Sequence, residues 1–233
     1  SPAELVEETI LQGMGELTDT GALAIDTGEF TGRSPKDKFT VFDSETEKSV
    51  WWGDINIKFD AQKFDQMLTR ISAYFTGREV YVRDAYACAD QRYRMNVRVV
   101  TEYPWQNLFV NNLFLRPNRD EIENMSPDWV IINAPGFLAD PAIDGTRQHN
   151  FAMINFTKKM ILIGGTGYTG EIKKGIFTVL NYILPHHKGV LSMHCSANIG
   201  DKGDTALFFG LLGTGKTTLS ADPHRGLIGD DEH

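Results

Sequence analysis

Apolar residues recur along this chain at two spacings, and the spacings divide it into helices and strands. Val6, Ile10 and Met14 stand four apart, which predicts a helix over residues 4–14 ended near Gly13 and Gly15. Residues 22–25 read as a short strand. The turn formers of residues 27–35 follow as a loop, and residues 38–42 read as a second strand. Asp60 is placed to cap a helix through Tyr74, with Phe64, Leu68, Ile71 and Phe75 on its apolar face and Gly77 as its stop. Residues 79–86 and 95–100 alternate apolar with polar, as half-buried strands do. Pro104 suits a first helical turn, followed by a buried stripe of Trp105, Leu108 and Phe109 reaching Leu113. The runs 129–132 and 160–163 are apolar throughout and suit central strands. The clearest helix spans 170–184: Ile172, Ile176, Val179 and Ile183 share a face, and Pro185 is its expected stop. Residues 190–194 read as a further strand.

Before residue 189 strands outnumber helices, and their alternation predicts an N-terminal α/β domain on a mixed sheet rather than repeated βαβ units. A linker at His186-His-Lys-Gly189 is expected to end this first domain, residues 1–188, and to open a second domain at 189–233. The second stretch holds the segment that organises the rest. An apolar run over 205–209 feeds into Gly210-Leu-Leu-Gly-Thr-Gly-Lys216-Thr217, which fits G-x-x-x-x-G-K-[ST] and precedes a plausible helix start. In such a loop the glycines let backbone N–H groups turn toward phosphate oxygens, the lysine neutralises charge, and the following hydroxyl ligates Mg²⁺. The expected fold is therefore a mixed-sheet α/β domain followed by the beginning of a P-loop-containing mononucleotide-binding α/β domain. Its expected nucleotide contacts are Gly210, Leu211, Leu212, Gly213, Thr214, Gly215, Lys216, Thr217 and Thr218.

Composition narrows the partners. The 233 residues are 41% hydrophobic and 23% charged, enough for a true core. A net charge of −8, from 23 basic and 31 acidic residues, argues against a nucleic-acid footprint. An anionic substrate must then be captured by a local basic pocket. Cys88 and Cys195 cannot make a disulfide scaffold. With no charged-then-apolar leader and no run near the ~20 residues of a membrane span, a cytoplasmic protein without membrane contact is expected.

Several side chains could do chemistry. Lys173 and Lys174 open a helix, where cations are disfavoured by the macrodipole; they are either a solvated pair or part of an anion site. The preceding Gly164-Gly-Thr-Gly-Tyr-Thr-Gly170 favours the anion site, because a glycine-rich run into a helix start suits one. His194, expected at a strand end, is either a structural histidine or a ligand for a borderline ion such as Mn²⁺. Asp230 and Asp231 end an apolar strand after the loop, where an acid beside nucleotide Mg²⁺ is placed, though an exposed acidic step would look the same. Arg33 sits in a turn-rich loop, and its guanidinium suits carboxylate or phosphate, as it would suit plain solvent.

Taken together these segments resemble ATP-dependent phosphoenolpyruvate carboxykinase. The matching pieces are Thr31-Gly-Arg-Ser-Pro-Lys-Asp-Lys38, Tyr168-Thr-Gly-Glu-Ile-Lys-Lys-Gly175 and Ser192-Met-His-Cys-Ser-Ala-Asn198, then the loop from Gly210 to Thr218 and Leu227-Ile-Gly-Asp-Asp-Glu-His233. The resemblance implies conversion of oxaloacetate and ATP into phosphoenolpyruvate, CO₂ and ADP in gluconeogenesis. It implies catalytic roles for Arg33, Tyr168, Lys173, Lys174 and His194, with Arg33 and Tyr168 on the substrate carboxylates and departing CO₂ and Lys173 along the phosphoryl path. It further implies Mn²⁺ on Lys174, His194 and Asp231, phosphates on Lys216 and Mg²⁺ on Thr217. The family loop usually has serine where this chain has Leu212, which removes a hydroxyl contact. A monomer is expected. One strand, one loop and one short helix are too little to bury a doubly wound sheet, so the chain is expected to be a fragment, inactive alone if it ends at His233. The alternatives are another P-loop small-molecule or protein kinase, and a non-catalytic nucleotide-binding module.

Overall fold

The computed structural model describes residues 1–211 and 213–230. Contacts divide the chain into two compact units, Ser1–Ile176 and Phe177–His233. Among the described residues no helix is long and apolar enough to cross a membrane.

In the first unit, α1 (Pro2–Leu11) starts from a capping box made by Ser1 and Glu4. Its buried positions are Leu5 and Thr9, not the expected face of Val6, Ile10 and Met14. The helix ends before Met14, with Gly13 at φ +68°, and Thr9 Oγ1 donates to the Leu5 carbonyl (2.6 Å), so this polar side chain is satisfied inside. β1 (Gly15–Leu17) pairs antiparallel with β2 (Leu23–Ile25) in a short ribbon. β3 (Lys38–Phe42) and β4 (Ile57–Asp60) lead into α2 (Ala61–Phe75), whose first turn is capped by Asp60 accepting from the Lys63 N–H at 2.9 Å.

β5 (Tyr81–Ala87) and β6 (Met95–Thr101) pair antiparallel and precede α3 (Pro104–Leu113). Pro104 does open that helix, but its buried face is Trp105, Gln106, Asn107, Val110 and Asn111. The cause lies in β5: Arg83 donates to Asn107 Oδ1 (2.8 Å) and Asn111 Oδ1 (3.0 Å), so the amides turn inward while Leu108 and Phe109 stay half-buried. The short helix α4 (Arg119–Glu123), β7 (Trp129–Ala134) and the single turn α5 (Pro141–Asp144) follow. β8 (Phe151–Asn155), buried at every position, and β9 (Met160–Gly164) complete a seven-stranded sheet in the order β4-β3-β8-β9-β7-β6-β5. Two of its pairings, β8 with β9 and β5 with β6, are antiparallel and the other four parallel, so the sheet is mixed.

Phe64, Met67 and Ile71 of α2 pack on one face of this sheet, against Phe39, Val41, Phe151, Met153 and Leu162. Successive strand side chains point to opposite faces, so Ile161 lies on the other face from Leu162. There it meets the start of α6 (Gly170–Lys188): a Cβ on Gly175 would lie 3.2 Å from Ile161 Cδ1. Ile172, Ile176 and Val179 are buried as their spacing requires, followed by Leu184 rather than Ile183.

α6 does not stop at Pro185; it runs one turn further, to Lys188. Proline forfeits one backbone bond in a helix. Here the last turn is basic, the His186 and His187 rings pack on Tyr182, and Gly189 (φ +64°) turns the chain so that Val190 N–H reaches the Leu184 carbonyl at 2.9 Å. That turn also removes the strand expected over 190–194. The segment is irregular and Leu191 points to solvent. The strand of this region is instead β10 (Ser196–Ile199), which pairs antiparallel with β11 (Thr205–Phe208) and, beyond the short helix α7 (Lys216–Ser220), with β12 (Gly226–Gly229).

Candidate functional site

The glycine-rich loop leaves β11 at Phe208 and ends where α7 begins. Gly213 and Gly215 take φ of +79° and +88°, left-handed backbone that side chains other than glycine rarely adopt. Gly210 is required for space, since a Cβ there would lie 2.4 Å from Thr214 Oγ1. That hydroxyl donates to the Leu211 carbonyl (2.8 Å) and closes the loop on itself. The Lys216 ammonium donates to the carbonyls of Gly210 (2.8 Å) and Leu211 (3.2 Å), which holds the positive charge at the loop. Thr217 and Thr218 are exposed on the first turn of α7. Leu212 lies outside the described residues.

Thr217 has a specific partner. Its hydroxyl donates to Asp230 Oδ2 at 2.9 Å, and the Ser196 hydroxyl donates to Asp230 Oδ1. A hydroxyl and a carboxylate are hard oxygen donors of the kind Mg²⁺ takes, so this pair fits the cation that accompanies nucleotide phosphates. Around the pair, Asn198 is fully buried; its Nδ2 donates to the Ser220 carbonyl (3.1 Å) and its Oδ1 accepts from Arg225 Nε (2.6 Å). Arg225 in turn donates to Asp204 Oδ2 at 2.8 Å. Asp231, expected beside the same site, lies outside the described residues.

His194 is not at a strand end. It is exposed in the irregular segment before β10, edge-on to the Phe177 ring with centroids 6.2 Å apart. Its neighbour Cys195 is buried, and burial pushes the thiol pKa up, so the sulfur stays protonated and unreactive near neutrality. Among the described residues no three His, Cys, Asp or Glu side chains gather as a metal centre.

In the first unit Arg33 is exposed on the loop between β2 and β3. The base of that loop is fixed from two sides. Ser34 N–H donates to Glu171 Oε1 (3.2 Å), and the Lys38 ammonium pairs with Glu171 Oε2 (3.2 Å). Asp37, buried, accepts two bonds from Arg147 (2.9 and 2.7 Å) and one from Gln148 (2.9 Å). Glu171 occupies the first turn of α6, one turn from the half-buried Lys173 and Lys174, so one carboxylate joins the Arg33 loop to the helix carrying the lysine pair. Sequence reasoning passed over Glu171. The signal was present, because an acid in a first helical turn complements the macrodipole.

The run from Gly164 to Gly170 has a steric reason for its glycines. A Cβ on Gly165 would lie 2.4 Å from the His149 carbonyl, one on Gly167 2.6 Å from that of Thr27, and one on Gly170 2.4 Å from the Tyr168 ring. Close packing of the run on neighbouring backbone thus orients Tyr168, whose N–H donates to Thr166 Oγ1 (3.1 Å). A cavity of about 600 Å³ opens beside this contact, walled by Thr27, Phe30, Tyr103, His149 and Gly167. Neither Arg33 nor Tyr168 lines it.

The chain as a whole is similar to known proteins. The family model described as phosphoenolpyruvate carboxykinase matches residues 1–233. Over 233 residues the chain is 63% identical to the phosphoenolpyruvate carboxykinase (ATP) of Christiangramia forsetii, and 60% identical to that of Flavobacterium johnsoniae. It is 57% identical over 230 residues to the protein of the same name from Amoebophilus asiaticus. The first two matches cover 100% of this chain and the third 99%, but each covers 44% of the relative, so the chain spans under half the length of these proteins. The chain belongs to the ATP-dependent phosphoenolpyruvate carboxykinase family.

Proposed function

We propose that this chain forms part of an enzyme that decarboxylates oxaloacetate and transfers a phosphoryl group from ATP, giving phosphoenolpyruvate, CO₂ and ADP in gluconeogenesis. Residues 1–188 serve as the substrate-binding domain and 189–233 as the start of the nucleotide-binding domain. The observation that carries the reading is the hydrogen bond between Thr217 and Asp230, which joins the hydroxyl of the glycine-rich loop to an acid at the end of β12. The pairing supports the reading because it gathers two hard oxygen donors beside the glycine-rich loop.

In this reading Arg33 presents its guanidinium fork to a substrate carboxylate, and Tyr168 donates its hydroxyl to the group that leaves as CO₂. Lys173 neutralises charge along the phosphoryl path, where positioning and charge neutralisation supply most of the catalysis. Lys216 neutralises the phosphates, and the backbone of residues 210–215 with Thr218 cradles them. Thr217 and Asp230 hold Mg²⁺, while Lys174, as a neutral amine, holds Mn²⁺ with His194 and Asp231. When bound, these ions supply Lewis-acid stabilisation of developing oxygen charge. The protein acts as a cytoplasmic monomer on small molecules, and its net charge of −8 disfavours nucleic acid.

The test is ADP and CO₂ release by the full-length polypeptide with oxaloacetate, ATP, Mg²⁺ and Mn²⁺. Arg33→Ala and Lys216→Ala should each lower turnover by about a hundredfold or more, as loss of a group aimed at reacting charge does. Phosphoryl transfer from ATP that needs Lys216 but not Arg33, with no oxaloacetate-dependent CO₂ release, would instead indicate a kinase sharing only the loop. ATP binding without CO₂ release or Mn²⁺ enhancement would indicate a non-catalytic module.

A further inference from the structure

Asp230 accepts from Ser196 as well as from Thr217, and Ser196 is fully buried in β10. It reaches Asp230 because of an irregularity in the sheet. Were the antiparallel register between β10 and β12 continuous, Ala197 would face Ile228 and Ser196 would face Gly229. The register shifts instead between Ala197 and Asn198: Asn198 faces Leu227 and Ala197 faces Gly229. Ile228 is therefore the extra residue of a β-bulge, a device that re-aims side chains near functional sites. Asp230 arrives beside Ser196 in consequence.

The effect of this bulge is on the carboxylate. The Ser196 hydroxyl donates to Oδ1, while Thr217 Oγ1 donates to Oδ2 at 2.9 Å. A single hydrogen bond fixes a direction, whereas one on each oxygen also fixes the plane of the carboxylate. We propose that Ser196 is a positioning residue for the cation site: by holding Oδ1 it turns Oδ2 toward Thr217 and presets the hydroxyl–carboxylate pair for the divalent ion that accompanies the nucleotide. The inference rests on the nucleotide reading of the loop.

The measurement is ATP affinity of the full-length protein, with Mg²⁺ and with chelator, for wild type and Ser196→Ala. Losing a hydrogen bond to a charged group should cut the Mg²⁺-dependent gain in affinity about tenfold. Affinity in chelator should stay within about twofold, since Lys216 and the loop backbone are untouched. Ser196→Cys keeps the buried volume and weakens the donor, so it reads the same quantity if the alanine variant folds poorly. An unchanged Mg²⁺ gain in the variants, or equal losses with and without Mg²⁺, would overturn the role of Ser196. A wild type with no Mg²⁺ gain would overturn the cation site, and one that binds no ATP under either condition would overturn the nucleotide reading itself.

Discussion

In the first unit the loop bearing Arg33 rests on a carboxylate, Glu171, that is only 3% exposed in the first turn of the helix following β9, the central strand of a seven-stranded sheet. In the second, the glycine-rich loop rests on three antiparallel strands whose Ile199, Leu207, Leu227 and Ile228 are exposed within these 233 residues, as are Phe209 and Leu211 of the loop and Leu219 of α7. Order there comes from polar links instead: Ser196 to Asp230, Asn198 to Ser220 and Arg225, and Arg225 to Asp204. The contrast is between a site mounted on an apolar core and one mounted on a hydrogen-bond network. A core resists perturbation in proportion to area buried, while a network fails at whichever member loses its partner.

The contrast should be starkest for apolar truncation. Phe64→Ala opens a cavity in a fully buried cluster and should cost about 3–5 kcal/mol. Leu219→Ala, exposed beside the loop within these 233 residues, should change the stability of the 233-residue chain by less than about 0.5 kcal/mol. Chemical denaturation of the two variants of this 233-residue chain measures both. A large loss from Leu219→Ala would mean that apolar packing, not the polar network, holds the loop.

Glu171 tests whether the first site depends on its mounting. In Glu171→Gln the Ser34 bond can persist, but the charge that pairs with Lys38 is gone. Lys38 is partly exposed, so the loss should be about 1–2 kcal/mol, nearer a hydrogen bond to a charged group than a buried ion pair. If the carboxylate steadies the loop carrying Arg33, KM for oxaloacetate should rise severalfold with little change in ATP affinity. Equal weakening for both substrates would show that the carboxylate supports the whole protein rather than that loop.

What the sequence disclosed follows the same division. α2 was legible because its cap, period and stopping glycine agree, and each marks the helix through local geometry. The mixed sheet was legible from apolar runs, although β8 was missed, since a strand buried at every position carries no alternation to see. α3 misled because Arg83, a distant residue, turns Asn107 and Asn111 inward. The strand expected over 190–194 failed for a related reason: the left-handed turn at Gly189 and the continuation of α6 through Pro185 decide its fate, and neither shows in the alternation of five residues. The glycine-rich loop was read from spacing alone. The bulge that brings Asp230 to Ser196 was not, because register is a relation between strands and is absent from either strand's sequence.

The smallest expected effect sharpens the network side of the comparison. The Arg225 guanidinium beside Asp204 holds that carboxyl below its usual range, chiefly through their hydrogen bond. A carboxylate whose folded pKa is depressed adds stability that is present above its unfolded pKa and fades as pH falls through the folded value. The contribution should therefore be constant down to about pH 4 and decline below it, given an unfolded aspartate pKa near 3.9. Asp204→Asn removes this dependence. Both groups are near solvent, so salt should weaken the pairing as well. Hydrogen exchange of the Gly200 amide, which donates to the Asp204 carbonyl at 2.8 Å, reports on the turn between β10 and β11. Compared with Asp204→Asn at the same pH, so that intrinsic exchange cancels, wild-type protection should be greater near neutrality, and the two should converge as the solution is acidified. Convergence on raising the pH, or none at all, would show that the Arg225 bond to Asp204 does not steady this end of the sheet, leaving Asn198 as the network member that does.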